Sequence, residues 1–218
     1  MAAKTNWAEA MKPLIKKYKG KKHPLHYSNL YELIVMVVLS AQSTDDQINK
    51  IVPAFFKAFP SLSSLSKATA EDFRPYISTV RSFFKKSEWL IKIAQQLKDE
   101  KNIPLTMDEL TALPGIGRKS ANVIMRESGA KPEGVIVDLH VVRVAPRIGI
   151  AKGTDPKKIE AQIMAVLPQK DWGIGMDLSF LGREICRPTN PKCRQCPINK
   201  VCYYYTKAQK TPSLLKKK

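Results

Sequence analysis

Leu113-Pro114-Gly115-Ile116-Gly117-Arg118-Lys119-Ser120-Ala121-Asn122-Val123 decides the fold. Leu113-Pro114 closes one helix-forming segment, and a second opens at Arg118 and runs to Glu127, with Gly129 as its expected C-cap. The two glycines between them permit backbone angles that other residues resist and let the chain approach a ligand closely. Ile116 is placed to point inward and pin the turn. Helix, two-glycine turn and helix make a tight connection. The outward-facing amides at the start of the second helix also suit a phosphate.

The segments on either side read as helices too. Leu30 to Leu39 is apolar nearly all round, which predicts a central buried helix. Thr44-Asp45-Asp46-Gln47 is a cap-rich start for a helix through Ile51 and Phe55 that ends near Pro60. Ser61 to Ser66 is expected to be a turn, and Thr69-Ala70-Glu71-Asp72 an N-cap with acidic residues in the first turn. Helical spacing covers Ser87 to Lys98, and Thr106-Met107-Asp108-Glu109 resembles a capping box. Val135 to Val137 is an extended entry to a helix beginning near Asp138, and Asp155-Pro156 starts the next. The last helix is expected over about Trp172 to Glu184. No hairpin pattern occurs, so the fold class is all-α.

Composition narrows the function. Thirty-seven Lys and Arg against nineteen Asp and Glu give the 218-residue chain a net charge of +18. Such an excess draws polyanions and speeds association with them, and nucleic acid is the expected partner. The longest apolar run, Leu33 to Leu39, is far too short to cross a bilayer, and the first residues lack the pattern of a secretory signal. These features predict a soluble intracellular protein with no membrane partner. The lysines at 16, 17, 19, 21 and 22 read as a solvated helix face and turn. The lysines after Leu215 read as nonspecific attraction. All four cysteines, Cys186, Cys193, Cys196 and Cys202, fall in one C-terminal stretch spaced C-x6-C-x2-C-x5-C. Metal ligation fits them better than the disulfides of a small secreted scaffold, as zinc or as an iron–sulfur cluster.

Three segments in order carry a resemblance. The Leu113–Val123 stretch looks like the helix-hairpin-helix of base-excision DNA glycosylases. Val137-Asp138-Leu139-His140-Val141, with Asp138 nineteen residues after Lys119, resembles that superfamily's catalytic aspartate segment. Upstream, Leu39-Ser40-Ala41-Gln42-Ser43-Thr44-Asp45 is similar to a segment of the endonuclease III family. On these motifs, spanning most of the chain, the protein is identified as a member of the endonuclease III family, iron–sulfur type.

The resemblance implies two helical domains with the active site in the cleft between them. One is a six-helix domain over 25–133, with the helix-hairpin-helix at about 108–128. The other is a helical iron–sulfur domain of 1–24 plus 134–218, with its cluster loop at 186–202. It also implies base-excision repair: a bifunctional DNA glycosylase and AP lyase acting on double-stranded DNA that holds a damaged base or an abasic site, oxidised pyrimidines favoured. The protein would be a monomer in a prokaryotic cytoplasm, associated with the nucleoid. Lys119 matches the nucleophile that attacks C1′, expels the base and forms a Schiff base, after which β-elimination breaks the strand. Asp138 matches the carboxylate that helps deprotonate it and stabilises the cationic sugar. Gln42 matches the residue that enters the gap left in the duplex. Gly115, Gly117, Arg118, His140 and Arg143 match DNA contacts, and the four cysteines match the ligands of a 4Fe–4S cluster.

Read alone, each of these residues has a plainer role: Lys119 a phosphate contact, Asp138 a helix cap, Gln42 a helix-end amide and His140 a surface histidine. The chain also departs from the family. Arg81 stands where relatives have glycine, bulky Phe83-Phe84 follow, and Leu139 and Leu181 replace the usual threonine and a frequent histidine. These changes bear on damage preference. A glycosylase for alkylated or mismatched bases with weak lyase activity is one alternative. For the mismatched-adenine type, the acidic residue it needs is missing from Leu33–Ser40. A non-catalytic DNA-binding module is the alternative from another class.

Overall fold

The computed structural model describes residues 5–210, with side chains to Lys207; the lysines after Leu215 lie outside the described residues. Among the described residues there is no strand. Twelve α-helices follow in order: α1 Trp7–Tyr18, α2 Leu30–Ser40, α3 Asp45–Ala58, α4 Leu62–Ser66, α5 Ala70–Ile77, α6 Phe83–Leu97, α7 Met107–Ala112, α8 Arg118–Ser128, α9 Leu139–Ile148, α10 Pro156–Val166, α11 Ile174–Glu184 and α12 Tyr203–Lys210. The chain divides into two compact units, Lys22–Lys131 and the segments before Lys22 and from Pro132 onward.

The Lys22–Lys131 unit is built round α2. Asn29 starts this helix by accepting the Glu32 N–H, and Tyr31 and Leu33 to Leu39 are all buried. A helix apolar on every face needs neighbours on every face, and α3, α6 and α8 supply them. Each large side chain buried there contributes roughly 1.5–3 kcal/mol of transfer free energy before ordering costs. Beside it Phe55 and Phe59 of the α3 end meet Phe73 of α5, with ring centroids 5.0 and 4.7 Å apart.

This unit holds seven helices, α2 to α8, where six are expected, and the additional one is α4. Ser61 to Ser66 is therefore not a plain turn. Ser61 and Ser64 form a reciprocal capping box, and Leu62 and Leu65 are buried on one face. Serine in place of the usual Glu or Gln at the third position hid the signal. Helix α6 also begins earlier than its spacing predicts, at Phe83, because Ser82 turns the chain in the left-handed region at φ 57°. Thr106 precedes α7 as expected, but its hydroxyl donates to Glu109 and makes no backbone cap.

The other unit packs α9 against α11. Gly182 makes this possible: a Cβ there would lie 2.8 Å from the His140 Cβ and 3.1 Å from Val144. Residues Ile174 to Gly182 are buried throughout. Helix α1 closes the other side of α11, where Tyr18 Oη donates to Glu184 Oε2 at 3.1 Å and Lys21 pairs with Glu184. Burial, reinforced by the Glu184 charge, pushes the Tyr18 hydroxyl far above its ordinary range. Helix α12, which follows the cysteines, corrects the expectation that the chain's last helix ends at Glu184. Among the described residues no helix is long and apolar enough to cross a membrane.

His23 makes the Lys22–Lys131 unit pH-sensitive. Its Nδ1 accepts the Leu25 N–H at 3.1 Å, so the ring proton sits on Nε2. Burial lowers its pKa from 6.5 to about 4; Glu127 and Asp45 oppose this, while Lys119 and Arg126 assist. Below 6.5 the unfolded chain takes up a proton that the folded one refuses, so stability is full above 6.5 and falls as pH drops toward 4. Urea midpoints measured across that window should decline. His23→Asn, whose Oδ1 can still accept the Leu25 N–H, should flatten the decline.

Candidate functional site

The hairpin joins α7 to α8. Leu113 ends α7, Gly115 takes φ 79°, and the Ile116 N–H closes the turn onto the Leu113 carbonyl at 3.2 Å. Ile116 is buried, as expected of the residue that pins the turn. The glycines do different work. A Cβ at Gly115 would stand 2.5 Å from Trp89 Cε3, so that residue must be small as well as left-handed. Gly117 has an ordinary φ of −93° and open space around it. As the N-cap of α8 it brings no side chain, so the helix begins without a side-chain cap. The helix dipole at the start of α8 favours an anion. Arg118 and the exposed Lys119 are the first two residues of that helix.

Gln42 lies between α2 and α3, exposed and left-handed at φ 61°. The turn leading to it is held by a side chain the sequence did not single out. Lys86, 3% exposed, donates from Nζ to the carbonyls of Leu39 at 2.8 Å and Ala41 at 2.5 Å. The ammonium thus satisfies carbonyls at the C-terminal end of α2, where the dipole welcomes a cation. Burial first, and then Arg81, lowers the Lys86 pKa. Its sequence, one of two adjacent lysines, gave no sign of which was buried. Phe83 and Phe84 are stacked, centroids 4.2 Å apart, with the Arg74 guanidinium 5.3 and 4.8 Å from the two rings. Glu71 holds that guanidinium with two bonds of 2.6 and 2.9 Å. Phe84 is 43% exposed, so this pair is not simply core.

In the other unit Asp138 is the N-cap of α9. Its Oδ1 accepts the N–H groups of His140 and Val141, both at 2.9 Å, and its Oδ2 accepts the Ser179 hydroxyl at 2.6 Å. The expected plain role of helix cap is therefore real. Leu139, 84% exposed, leaves these bonds intact, because the donors on α9 are backbone groups. His140 Nδ1 lies 3.2 Å from an Arg143 nitrogen, which makes Nδ1 the acceptor. Arg143 also donates to the carbonyls of Gly182 at 2.9 Å and Cys186 at 3.2 Å. The guanidinium assigned to DNA is thus engaged in tying α9 to α11 and to the first cysteine.

None of the four cysteines is in a disulfide, and all four line one pocket. Ile148, Leu181 and Ile185 line the same pocket. Burial pushes the Cys196 thiol up to about 11, and Cys202, Cys186 and Cys193 add to the rise. Arg147, unmarked in the sequence except as a second arginine one turn after Arg143, braces the loop. It donates to Cys186 Sγ at 3.7 Å and to the carbonyls of Arg187 and Pro188 at 2.7 and 3.0 Å, and it stacks over Tyr204. Among the described residues no three or more His, Cys, Asp or Glu are grouped to hold a single metal ion.

Residues 35–169 match the family model described as HhH-GPD superfamily base excision DNA repair protein. Endonuclease III of Synechocystis sp. is 33% identical over 206 residues, covering 93% of this chain and 94% of the relative. Endonuclease III of Bacillus subtilis is 32% identical over 182 residues, 82% and 83% of the two chains. Among solved structures, a trapped endonuclease III–DNA covalent intermediate superposes with a TM-score of 0.81 at 29% identity, covering 92% of this chain and 96% of that one. A thermostable thymine-DNA glycosylase shares the fold, with a TM-score of 0.75 at 21% identity over 93% and 97% of the two chains.

The hairpin geometry makes a stability prediction. Gly115→Ala forces a Cβ onto Trp89 at positive φ and should cost about 1–3 kcal/mol or more. Gly117→Ala meets open space and should stay within about 0.5 kcal/mol. Urea unfolding of the two variants measures the difference.

Proposed function

The chain belongs to the HhH-GPD superfamily of base excision DNA repair proteins, in its endonuclease III family, and we infer from this that it is a DNA glycosylase with AP lyase activity. The observation that carries the reading is an exposed lysine, Lys119, on the first turn of a helix left without a side-chain cap behind a glycine hairpin. The uncapped amides receive a DNA phosphate beside Gly115, Gly117 and Arg118, and Lys119 works next to that anchor.

Lys119 Nζ attacks C1′ of the damaged nucleoside, the glycosidic C1′–N bond breaks, and the base leaves with the electron pair and a proton. The amine gives up one of its protons, and the C1′–O4′ ring bond opens with its electron pair and a proton going to O4′, which leaves the protonated Schiff base. Its iminium acidifies the C2′ hydrogen, whose removal expels the 3′ oxygen and cuts the strand. Asp138 is the carboxylate that balances the cationic sugar and accepts a proton. Its Oδ1 is occupied by two amides, so Oδ2 is the oxygen that serves. Gln42 fills the space left by the extruded nucleotide, supported by its braced turn. His140 presents Nε2–H to DNA. Arg143 acts by fixing His140.

The donor set at the cysteine pocket fits a 4Fe–4S cluster held by Cys186, Cys193, Cys196 and Cys202: the four cysteines, none of them in a disulfide, line one pocket. Such a cluster supplies iron–sulfur bonds that fix the loop, together with a one-electron redox couple. The proposed reaction needs no electron transfer, so support of the loop is its role. Arg187, Lys192 and Arg194 among the ligands add positive charge toward phosphates. The favoured substrates are oxidised pyrimidines in double-stranded DNA, and the protein acts as a monomer on the nucleoid.

Borohydride should trap the wild-type chain on a duplex carrying an abasic site, and Lys119→Gln should abolish both trapping and cutting. Full lyase activity in Lys119→Gln, or a duplex that is shifted but never cut, would sink the mechanism. Asp138→Asn should lose base release while DNA affinity stays near wild type. Purified protein should be yellow-brown, with broad absorbance and on the order of one cluster per chain; stoichiometric zinc in a colourless sample would rule the cluster out.

A further inference from the structure

Beyond the family motifs, Ser179 stands out as a fully buried hydroxyl directed at the reaction's carboxylate. It lies in the middle of α11, 0% exposed, where a helix facing the core ordinarily carries an apolar side chain. Its Oγ donates to Asp138 Oδ2 at 2.6 Å, the short distance of a hydrogen bond to an ionised acceptor. The Arg183 Nε, one turn further along α11, stands 3.5 Å from the same oxygen. A guanidinium has no lone pair to offer, so it faces the acceptor side of the hydroxyl and leaves its proton pointed at Asp138.

Asp138 Oδ1 already accepts two amides, which fix the carboxylate in space and leave Oδ2 as the working oxygen. We propose that Ser179 is a positioning residue for the reaction. Its hydroxyl sets the orientation of Oδ2, so that one lone pair stays directed at the cationic sugar. This rests on the functional reading above and deepens it by naming the group that tunes Asp138. A serine without this role would be a poor choice there, since an alanine would fill a buried helix face without a polar group to satisfy.

Other charged groups lie on the elements packed here. His140 and Arg143 sit on α9, where Arg143 is tied to the Gly182 and Cys186 carbonyls. Asp177, Arg183 and Glu184 sit on α11, with Glu184 engaged by Tyr18 and Lys21 of α1. Glu160 of α10 accepts the Val135 N–H at 3.1 Å. None of them supplies a side-chain hydrogen bond to the Asp138 carboxylate; Ser179 alone among the described residues does so.

The test uses the full cluster-loaded chain and a duplex with one abasic site. Two quantities are read separately: duplex Kd, and the single-turnover rate of borohydride trapping at saturating duplex. Ser179→Ala removes one donor from the carboxylate, and should slow trapping roughly ten-fold with Kd within about two-fold of wild type. Ser179→Cys, close in size and a weaker donor, should fall between the two, and it carries the test if the alanine variant unfolds. A trapping rate within about two-fold of wild type in both variants, or a loss carried by Kd, overturns the proposal. Wild-type protein that never traps overturns the functional reading, and full trapping by Asp138→Asn overturns the role of Asp138 itself.

Discussion

In the proposed reaction one carboxylate does two jobs, and the packing of α11 on α9 meets both. As a helix cap, Asp138 needs its oxygens turned back onto the first amides of α9. As a participant in chemistry it needs an oxygen turned outward. The two oxygens are divided between the tasks: Oδ1 takes His140 and Val141 N–H, and Oδ2 is approached by a single hydroxyl. That division requires α11 to lie close against α9, which Gly182 permits by having no side chain. The same contact brings the Cys186 carbonyl within reach of Arg143, so the start of the cysteine loop is located by the helix that Asp138 begins.

Seven helix starts are closed by a short polar side chain: Asn6, Asn29, Thr44, Ser61, Thr69, Asp138 and Asp155 all accept an N–H from their own first turn. Helix α8, behind Gly117, begins without one, as do α6, α7 and α11, and forgoes a typical contribution of about 1 kcal/mol or less. The C-terminal end of α2 shows the opposite polarity. Its carbonyls are satisfied by the buried ammonium of Lys86, which steadies the turn that presents Gln42.

Local chemistry explains how much could be read from the sequence alone. The hairpin, α2 and α9 were legible because each has a strong local signal: a proline–glycine break, an unbroken apolar run, and an aspartate before an amphipathic segment. The four cysteines were legible by spacing. The α4 turn was missed because serine served as its own capping partner, and the start of α6 because a left-handed Ser82 has no sequence mark. Lys86, Arg147 and Ser179 were illegible for a different reason. Their partners lie 45, 40 and 41 residues away, and nothing in the residue itself says where its hydrogen bonds will go. The likeness to endonuclease III brings Lys119 and Asp138 into view as the proposed nucleophile and carboxylate, but not Ser179.

The packing of Trp89 beneath the hairpin has a practical side. Its indole lies where a side chain at position 115 would begin, and the Lys85 ammonium stands 5.3 Å above the ring. Indole emission responds to the polarity and charge of its surroundings, so the turn proposed to bind phosphate carries its own optical reporter. With Trp7 and Trp172 replaced, the remaining signal would follow the hairpin through encounter, scanning and release without any attached dye.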